Sequence, residues 1–196
     1  MKKLLASLAG IAFVGTTLLA ADAANIRKAP ELAFTIPSQG SKLLSQYRGK
    51  VVALEFIFTT CPHCQAASHF MTKLQNEYGA KGLQVLDIAV NQNADLLVEN
   101  FQRDFQTSFP VGWTPMSEME SFMGFSSGRF VVPQLVLIDR NGYIHYQTPA
   151  TENEDWDKLM KEGAIRQHID ELLSTGSTAQ RDARRPSHVA IAKKSS

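Results

Sequence analysis

The feature that most constrains the fold is an apolar run that leads directly into a pair of cysteines. Val51 to Phe58 is almost continuously apolar and rich in β-branched and aromatic residues, which is typical of a strand buried on both faces. After two intervening residues comes Cys61, and from Pro62 to about Tyr78 apolar side chains recur every four residues, which predicts a helix. The cysteine pair is therefore expected where a central strand passes into a helix.

The remainder of the chain predicts alternating strands and helices. Crossover helices connect the first strands, which should therefore be parallel, whereas Asn141-Gly142 predicts a hairpin and an antiparallel pair. The predicted class is α/β, a three-layer α/β/α sandwich with a mixed central sheet. Strands are predicted at 83–90, 134–138 and 143–147, helices at 95–105, 116–123 and 155–173, a short turn or helical piece at 41–47, and extended segments at 24–37 and 109–111.

The N-terminus resembles a targeting segment. Lys2 and Lys3 precede an apolar stretch from Leu4 to Ala20, and Ala21-Asp22-Ala23 offers small residues at a cleavage site, so we expect cleavage after Ala23. The alternative is an uncleaved membrane anchor. Either way the protein is expected to be exported, to the periplasm or cell envelope. The predicted divisions are a signal peptide at 1–23, one domain at 24–176 and a disordered basic tail at 177–196.

The charge balance limits the partners that this chain could bind. Its 20 Lys and Arg residues against 19 Asp and Glu residues give no electrostatic footprint for nucleic acid. The tail from Ser177 onward is rich in Ser, Thr, Ala and Arg, a composition typical of disorder. Contact with a membrane is expected only through an uncleaved N-terminus or through this basic tail, and a solvated tail without a partner is the alternative.

The cysteine spacing indicates chemistry rather than stabilisation. A disulfide between Cys61 and Cys64 would close so short a loop that it would contribute only about 2 kcal/mol. Pro62 suits the first position of a helix, and the N–H groups and dipole of the first turn favour a thiolate at Cys61. Cys64 lies one turn further on the same face. Cys61 is thus expected to attack a disulfide, Cys64 to resolve the mixed disulfide, and His63 to tune the thiolate.

Glu55 is a second candidate because it interrupts the buried strand. A carboxylate there is costly unless it is paired or protonated. We expect burial to raise the pKa of Glu55 and let it exchange a proton with Cys64. An exposed position, or a pairing with lysine, is the alternative. Val132-Pro133 is a third candidate, because a cis bond before the strand would present the Val132 backbone to a substrate. The sequence does not reveal the isomer.

Metal and cofactor sites are less favoured by the pattern. Zinc needs four ligands, and the histidines supply no second ligand pair at close spacing, so neither a metal nor an organic cofactor is expected. The redox-active group would be the Cys61–Cys64 disulfide itself. The histidines are His63, His69, His145, His168 and His188.

Glu55, Cys61-x-x-Cys64 and Val132-Pro133 together resemble the thioredoxin superfamily, in which these places hold a buried acid, the active-site dithiol and a cis-proline that faces it. Ala29-Pro30, the run 47–52 and the segment between Val90 and Phe130 are similar to its exported TlpA/ResA-like branch. The resemblance implies a thioredoxin-like fold, a cis Pro133, and thiol–disulfide exchange with protein thiols or disulfides and with a membrane or periplasmic redox partner.

Other branches leave alternatives open. Pro62-His63 and Val132 resemble the corresponding residues of DsbA, an oxidase. Thr59-Thr60 stand where the TlpA/ResA-like branch usually has Trp. The direction of electron flow therefore stays open. Phe58 to Pro62 resembles the SCO-like copper-delivery proteins, for which His145 would be the additional ligand. Peroxiredoxins need Thr or Ser where Phe58 stands. A non-catalytic interaction module on the same fold is the remaining alternative.

Overall fold

An eight-stranded sheet forms the centre of the molecule. The computed structural model of the protein describes residues 26–126 and 128–183. Along the sheet the strand order is β1-β8-β7-β4-β5-β6-β2-β3. The strands are β1 (Arg27–Lys28), β2 (Ala33–Ile36), β3 (Gly40–Leu43), β4 (Val51–Ile57), β5 (Leu83–Ala89), β6 (Val111–Trp113), β7 (Gln134–Ile138) and β8 (Tyr143–Gln147).

Helices cover both faces of this sheet. The helices are α1 (Pro62–Tyr78), α2 (Ala94–Asp104), α3 (Met116–Met123), α4 (Glu154–Leu159) and α5 (Glu162–Ala183), with short 3-10 turns at Leu44–Tyr47 and Gly79–Lys81. One core joins α1, α2, α4 and α5 to the sheet face that carries Ala53 and Ile57. A second core joins α3 to the opposite face, which carries Leu54 and Phe56. The α/β/α sandwich predicted from the sequence is therefore confirmed.

The predicted mixture of strand directions is also confirmed. The central strand β4 runs parallel to β5 and antiparallel to β7. Parallel pairing continues from β5 to β6, and β7 forms an antiparallel hairpin with β8. Every residue of β4 is buried, which agrees with its apolar sequence because covered strands need no polar face. The C-terminal ends of β4 and β5 and the N-terminal end of β7 thus meet at one edge of the sheet.

Three features differ from the sequence prediction. The single helix expected at 155–173 is two helices, α4 and α5. Gly163 lies in the first turn of α5, and glycine disfavours a continuous helix through this point. The lead-in contains short strands that Pro30 and Pro37 obscured. Helix α5 reaches Ala183, so the tail boundary predicted at Ser177 falls inside a helix, consistent with the helix-forming Ala, Gln and Arg there.

The predictions for the chain ends lie largely outside the described residues. These are the signal peptide at 1–23 and the tail beyond Ala183. No helix within 26–126 and 128–183 is both long enough and apolar enough to cross a membrane.

Candidate active site

Cys61 occupies the junction between the central strand and the first helix. It is the N-cap residue of α1, with extended backbone angles of φ −83° and ψ 120°, and Pro62 follows at the first helical position. No side chain caps this helix end. The unpaired N–H groups of the first turn therefore concentrate positive potential near Cys61, which favours a negative charge on its sulfur. Cys61 is a free, half-buried cysteine.

Cys64 lies one turn further along α1 and is fully buried. Burial raises the pKa of the Cys64 thiol far above its ordinary value, and the neighbouring Cys61 side chain and Glu55 carboxyl raise it further. A hydrogen bond from the Phe58 backbone N–H has the opposite effect. The two thiols therefore touch, yet they differ in access to solvent. Cys61 can meet a substrate, whereas Cys64 stays protonated until a base takes its proton.

Glu55 lies on the same face of the sheet as Cys64. Its side chain is fully buried, and neither carboxyl oxygen has a hydrogen bond of good geometry. Burial is the main reason that the pKa of Glu55 lies well above its ordinary value, and Asp87 raises it further. The alternative of an exposed position is wrong, because Glu55 is 0% exposed, and the alternative of a lysine partner is wrong, because no lysine of the described residues pairs with its carboxyl oxygens.

Asp87 is a site residue that the sequence analysis missed. It pairs with Glu55 in the register of the parallel strands β4 and β5, so the two carboxyl groups lie side by side on one face. Asp87 is also fully buried. Burial raises its pKa to about 7, and the Ser68 hydrogen bond and the neighbouring Glu55 carboxyl oppose that increase. The sequence did contain a signal, because Asp87 stands between Leu86 and Ile88 within a predicted buried strand. The reasoning that identified Glu55 applies equally to this carboxylate.

Ser68 connects this acid pair to the cysteine helix. Its hydroxyl donates a 2.5 Å hydrogen bond to Asp87 Oδ2, and the Ser68 side chain is fully buried. The other oxygen, Asp87 Oδ1, has no hydrogen-bond partner. Ser68 follows Cys64 by one helical turn, so both residues project from α1 toward the sheet. The chain of polar groups therefore runs from Cys64 past Glu55 and Asp87 to Ser68.

Asn91 holds the loop that carries Cys61. Its side-chain oxygen accepts hydrogen bonds from the Thr59 N–H at 2.9 Å and from the Thr59 hydroxyl at 3.3 Å. From the other side, Gln65 donates to the Thr59 carbonyl at 3.1 Å, and the Cys61 N–H donates to the Phe58 carbonyl at 3.0 Å. The loop between β4 and α1 is thus fixed by side chains from two elements, and nothing in the local sequence identified Asn91.

Val132 and Pro133 lie at the same edge of the sheet as Cys61. Their peptide bond is cis, as the resemblance implies. Gln134, the next residue, pairs with Phe56 near the end of β4. The Phe58 and Phe130 rings meet edge to face with their centroids 6.2 Å apart, which joins the segment before Pro133 to the loop before Cys61.

A buried polar network supports the proline segment. The Gln134 amide donates to the carbonyl of Val131 at 2.8 Å and to that of Pro149 at 3.2 Å. The Thr148 hydroxyl donates to Gln134 Oε1 at 2.5 Å, and this hydroxyl also accepts the Leu135 N–H at 3.0 Å. Both polar side chains are fully buried. The sequence analysis did not identify either of them.

The remaining candidates fall into two groups. Pro62 and His63 are exposed beside Cys61, at the surface that an incoming substrate would meet. His145 is hydrogen-bonded to Asp139 at 3.1 Å and follows Ile144, which pairs with Ile138 at the far end of β7. It therefore lies at the edge of the sheet opposite Cys61, and the structure does not assemble the copper ligands considered above. Within the described residues, no three His, Cys, Asp or Glu side chains are grouped to hold a metal ion.

This arrangement provides the parts needed for thiol–disulfide exchange. It combines a half-exposed thiol at a helix N-terminus, a buried thiol in contact with it, and a protonatable acid behind the buried thiol. A thiolate is the attacking species in such exchange, and a second thiol must lose a proton to complete the reaction.

Comparison with known proteins agrees with this geometry. The Redoxin family model matches residues 26–163. The thiol-disulfide oxidoreductase ResA of Bacillus thuringiensis subsp. konkukian is 28% identical over 130 residues, which are 66% of this chain and 72% of that protein. ResA of Oceanobacillus iheyensis is 33% identical over 106 residues, 54% of this chain and 53% of that protein.

A solved structure shows the same fold. It is a crystal structure from Chlorobium tepidum, provisionally described as the thiol:disulfide interchange protein DsbE, with 28% sequence identity and a TM-score of 0.61. The match covers 76% of this chain and 96% of the other. The thioredoxin-like fold expected from the resemblance is confirmed.

Proposed function

The chain belongs to the Redoxin family, and we propose that it is a thiol–disulfide oxidoreductase in which Cys61 is the nucleophile and Cys64 the resolving thiol. The similarity to ResA and to the DsbE-like structure supports this activity. The chemistry needs no organic cofactor and no resident metal, because the electrons are carried by the two sulfur atoms.

One observation carries the proposal. Cys61 and Cys64 are free thiols in mutual contact, of which Cys61 is half-buried and Cys64 fully buried. A structural disulfide would have no need for one accessible sulfur at an uncapped helix N-terminus. A redox pair needs that asymmetry, since only one thiol should meet the substrate while the other waits for the mixed disulfide.

The reaction proceeds in two displacements. In the first, the Cys61 thiolate attacks one sulfur of a substrate disulfide, the substrate S–S bond breaks, and the first substrate thiolate leaves. In the second, Cys64 loses its proton toward Glu55 and attacks the Cys61 sulfur. The Cys61–substrate bond then breaks, and a Cys61–Cys64 disulfide remains. The substrate gains two electrons and the protein dithiol loses two; the reverse sequence oxidises a substrate dithiol.

Exposed groups around Cys61 set the potential and receive the substrate. His63 lies between the two cysteines in sequence, and a positive charge on its imidazole would stabilise the thiolate of the reduced form, which would make the disulfide more oxidising. Pro62 begins the helix without leaving an N–H unpaired. Val132 and Pro133 present backbone to an extended substrate chain at the same edge of the sheet.

We propose protein thiols and disulfides as the substrates, and a membrane or periplasmic protein as the redox partner. The basic start and apolar stretch of residues 1–20 support export to the periplasm or cell envelope. In such an oxidising compartment, a redox-active pair exchanges with the disulfides of other exported proteins.

Trapping tests the assignment of roles. The full chain with Cys64→Ser should accumulate mixed disulfides between Cys61 and protein partners, visible as adducts on non-reducing gels and dissociated by dithiothreitol. The double variant C61S/C64S is the matched control and should form none. If the Cys64→Ser protein formed no more adducts than the double variant, Cys64 would not be the resolving thiol.

A further inference from the structure

We propose that Glu55 and Asp87 hold one proton between them at neutral pH, and that Asp87, fixed by Ser68, is a positioning residue that lets Glu55 accept the Cys64 proton. This inference rests on the proposed exchange reaction and deepens it. It adds to that mechanism two residues, Asp87 and Ser68, that do not touch the substrate.

The two acids are buried neighbours. Glu55 and Asp87 are register partners on adjacent parallel strands, and both are 0% exposed. Adjacent strands are about 4.8 Å apart, so two negative charges here would repel each other in a poorly hydrated environment. Protonation of both carboxylates is unnecessary, because the Ser68 hydroxyl stabilises one negative charge by donating a hydrogen bond to Asp87. The low-energy state therefore contains one proton and one negative charge.

The acid pair has no compensating cation among the described residues. In the described part of the chain, neither Glu55 nor Asp87 forms an ion pair with Lys, Arg or His. Helix α1 presents Cys64 and Ser68 to the pair, with Cys61 beyond them at the helix start. The other elements packed on this face contribute apolar side chains, which are Leu135 of β7 and Ile165, Ile169 and Leu172 of α5.

The two carboxyl groups differ in the hydrogen bonds that they accept. Ser68 donates to Asp87 Oδ2 at 2.5 Å, whereas neither oxygen of Glu55 accepts a well-formed hydrogen bond. A donor stabilises the ionised form of its acceptor, so the charge resides mainly on Asp87 and the proton mainly on Glu55. The pKa of Asp87 is about 7. The acid pair therefore changes from two bound protons to one in the neutral pH range.

These features give a balanced proton transfer for the resolving step. The Cys64 proton moves to Glu55 while the proton already on Glu55 moves to Asp87, so the net charge of the three groups is unchanged. The Cys64 thiolate then attacks the Cys61 sulfur, and the departing substrate thiolate takes the electron pair of the broken S–S bond. The doubly protonated acid pair returns to one proton by release to solvent. Glu55 alone, protonated at neutral pH, would have no means of accepting this proton.

The experiment is a single-turnover reaction of the reduced full chain with 5,5′-dithiobis(2-nitrobenzoate), followed by absorbance. Attack by Cys61 releases one thionitrobenzoate, and resolution by Cys64 releases the second, so the two displacements are separate phases. In the wild-type protein the rate of the second phase should rise with pH through an inflection near 7. A wild-type protein without a second phase would overturn the proposed function, and the present inference with it.

Asp87→Asn tests the inference itself. The first phase should stay within about twofold of wild type, the second should slow by at least about tenfold at pH 7, and the inflection near 7, which Asp87 sets, should be lost. Ser68→Ala should move this inflection upward, because Asp87 loses the donor that stabilises its ionised form. Glu55→Gln should slow the second phase at every pH.

Thr114→Val is the matched control. Thr114 is a buried residue that follows β6, two strands away from the cysteine-bearing end of β4, and its hydroxyl donates to the Ala33 carbonyl at 2.9 Å. Its loss should affect stability without moving the inflection. If the Asp87→Asn and Thr114→Val proteins had the same second-phase rate and the same inflection pH, Asp87 would have no role in proton transfer.

Infrared spectroscopy provides a measurement that does not depend on the Asp87 variant folding. The wild-type protein at pH 7 should show a protonated-carboxyl band that Glu55→Gln weakens. Absence of that band would contradict a shared proton regardless of the kinetics.

Discussion

Asn91 accepts two hydrogen bonds from Thr59, one from its backbone N–H and one from its hydroxyl. This contact joins the loop after β5 to the loop after β4, two residues before Cys61. The position of the nucleophile is thus set by an amide side chain that is distant in sequence and adjacent in space.

We expect Asn91→Ala to weaken both the fold and the chemistry. Thr59 is 7% exposed, and leaving its N–H without an acceptor costs about 1–3 kcal/mol of unfolding free energy. The rate at which Cys61 reacts with a disulfide should also fall, since the loop loses its fixed geometry. Denaturant unfolding and stopped-flow kinetics measure the two effects. Gln92→Ala, at the exposed neighbour, is the control and should leave both unchanged; an Asn91→Ala protein that matched it would contradict the positioning role.

The two cysteines should react with alkylating agents at very different rates. Cys64 is fully buried and its pKa is raised, so it supplies little thiolate, whereas Cys61 is half-buried at a helix N-terminus. Iodoacetamide should therefore modify Cys61 at least about tenfold faster than Cys64. Peptide mass spectrometry after timed quenching measures the ratio. Equal rates would show that the two thiols are not differentiated, and the assigned roles would have to be abandoned.

Stability should decline as the pH rises from about 4 to about 7. Burial raises the pKa of Asp87 from 3.8 to about 7, so between these values the folded protein binds more protons than the unfolded chain, and the free energy of unfolding falls with increasing pH. Each pKa unit corresponds to about 1.4 kcal/mol, which makes the decline on the order of a few kcal/mol. Above about pH 7, Asp87 is ionised in both the folded and the unfolded state, so its contribution to the fall in unfolding free energy should end there.

Asp87→Asn should flatten this pH dependence between about pH 4 and pH 7. Urea unfolding across that range measures it, and the exposed Glu152→Gln substitution is the control that should leave the slope unchanged. A slope in Asp87→Asn as steep as in wild type would mean that Asp87 ionises normally in the folded protein.

His63 should make the disulfide more oxidising. Replacing Pro62-His63 by Gly-Pro should lower the reduction potential by about 30 mV or more, which is about tenfold in the equilibrium constant with glutathione. The single variant His63→Ala should account for much of that change if the imidazole, rather than the proline position, is responsible. Equilibration with glutathione buffers and quantification of the two redox forms measure it. A potential that did not change in either variant would remove His63 from the list of tuning residues.

The fold could be predicted largely because its signals are local. The all-buried strand β4 is visible as a continuous apolar run, and β7 and β8 could be placed from their apolar and turn residues. The break between α4 and α5 was missed, because the apolar pattern from Leu159 to Leu173 continues across it. The short strands β1, β2 and β3 were missed as well, since strands of two to four residues carry too little pattern to recognise.

The site could be predicted only in part. Cys61 and Cys64 are close in sequence and share a helix, so their proximity follows from helical geometry. Asp87 and Gln134 come from other strands and Asn91 from the loop after β5, and they reach the site through pairings that no local pattern specifies. Glu55 was identified by its chemistry, yet its neighbour was not.

The sequence by itself determined that a buried strand passes into a helix at Cys61 and that a second thiol follows one turn later, because residues so near in the chain have few ways to be arranged. The tertiary structure alone decided that Glu55 faces Asp87. That pairing depends on the register of two parallel strands joined by a long crossover, and the register is set by how the whole sheet packs against its helices.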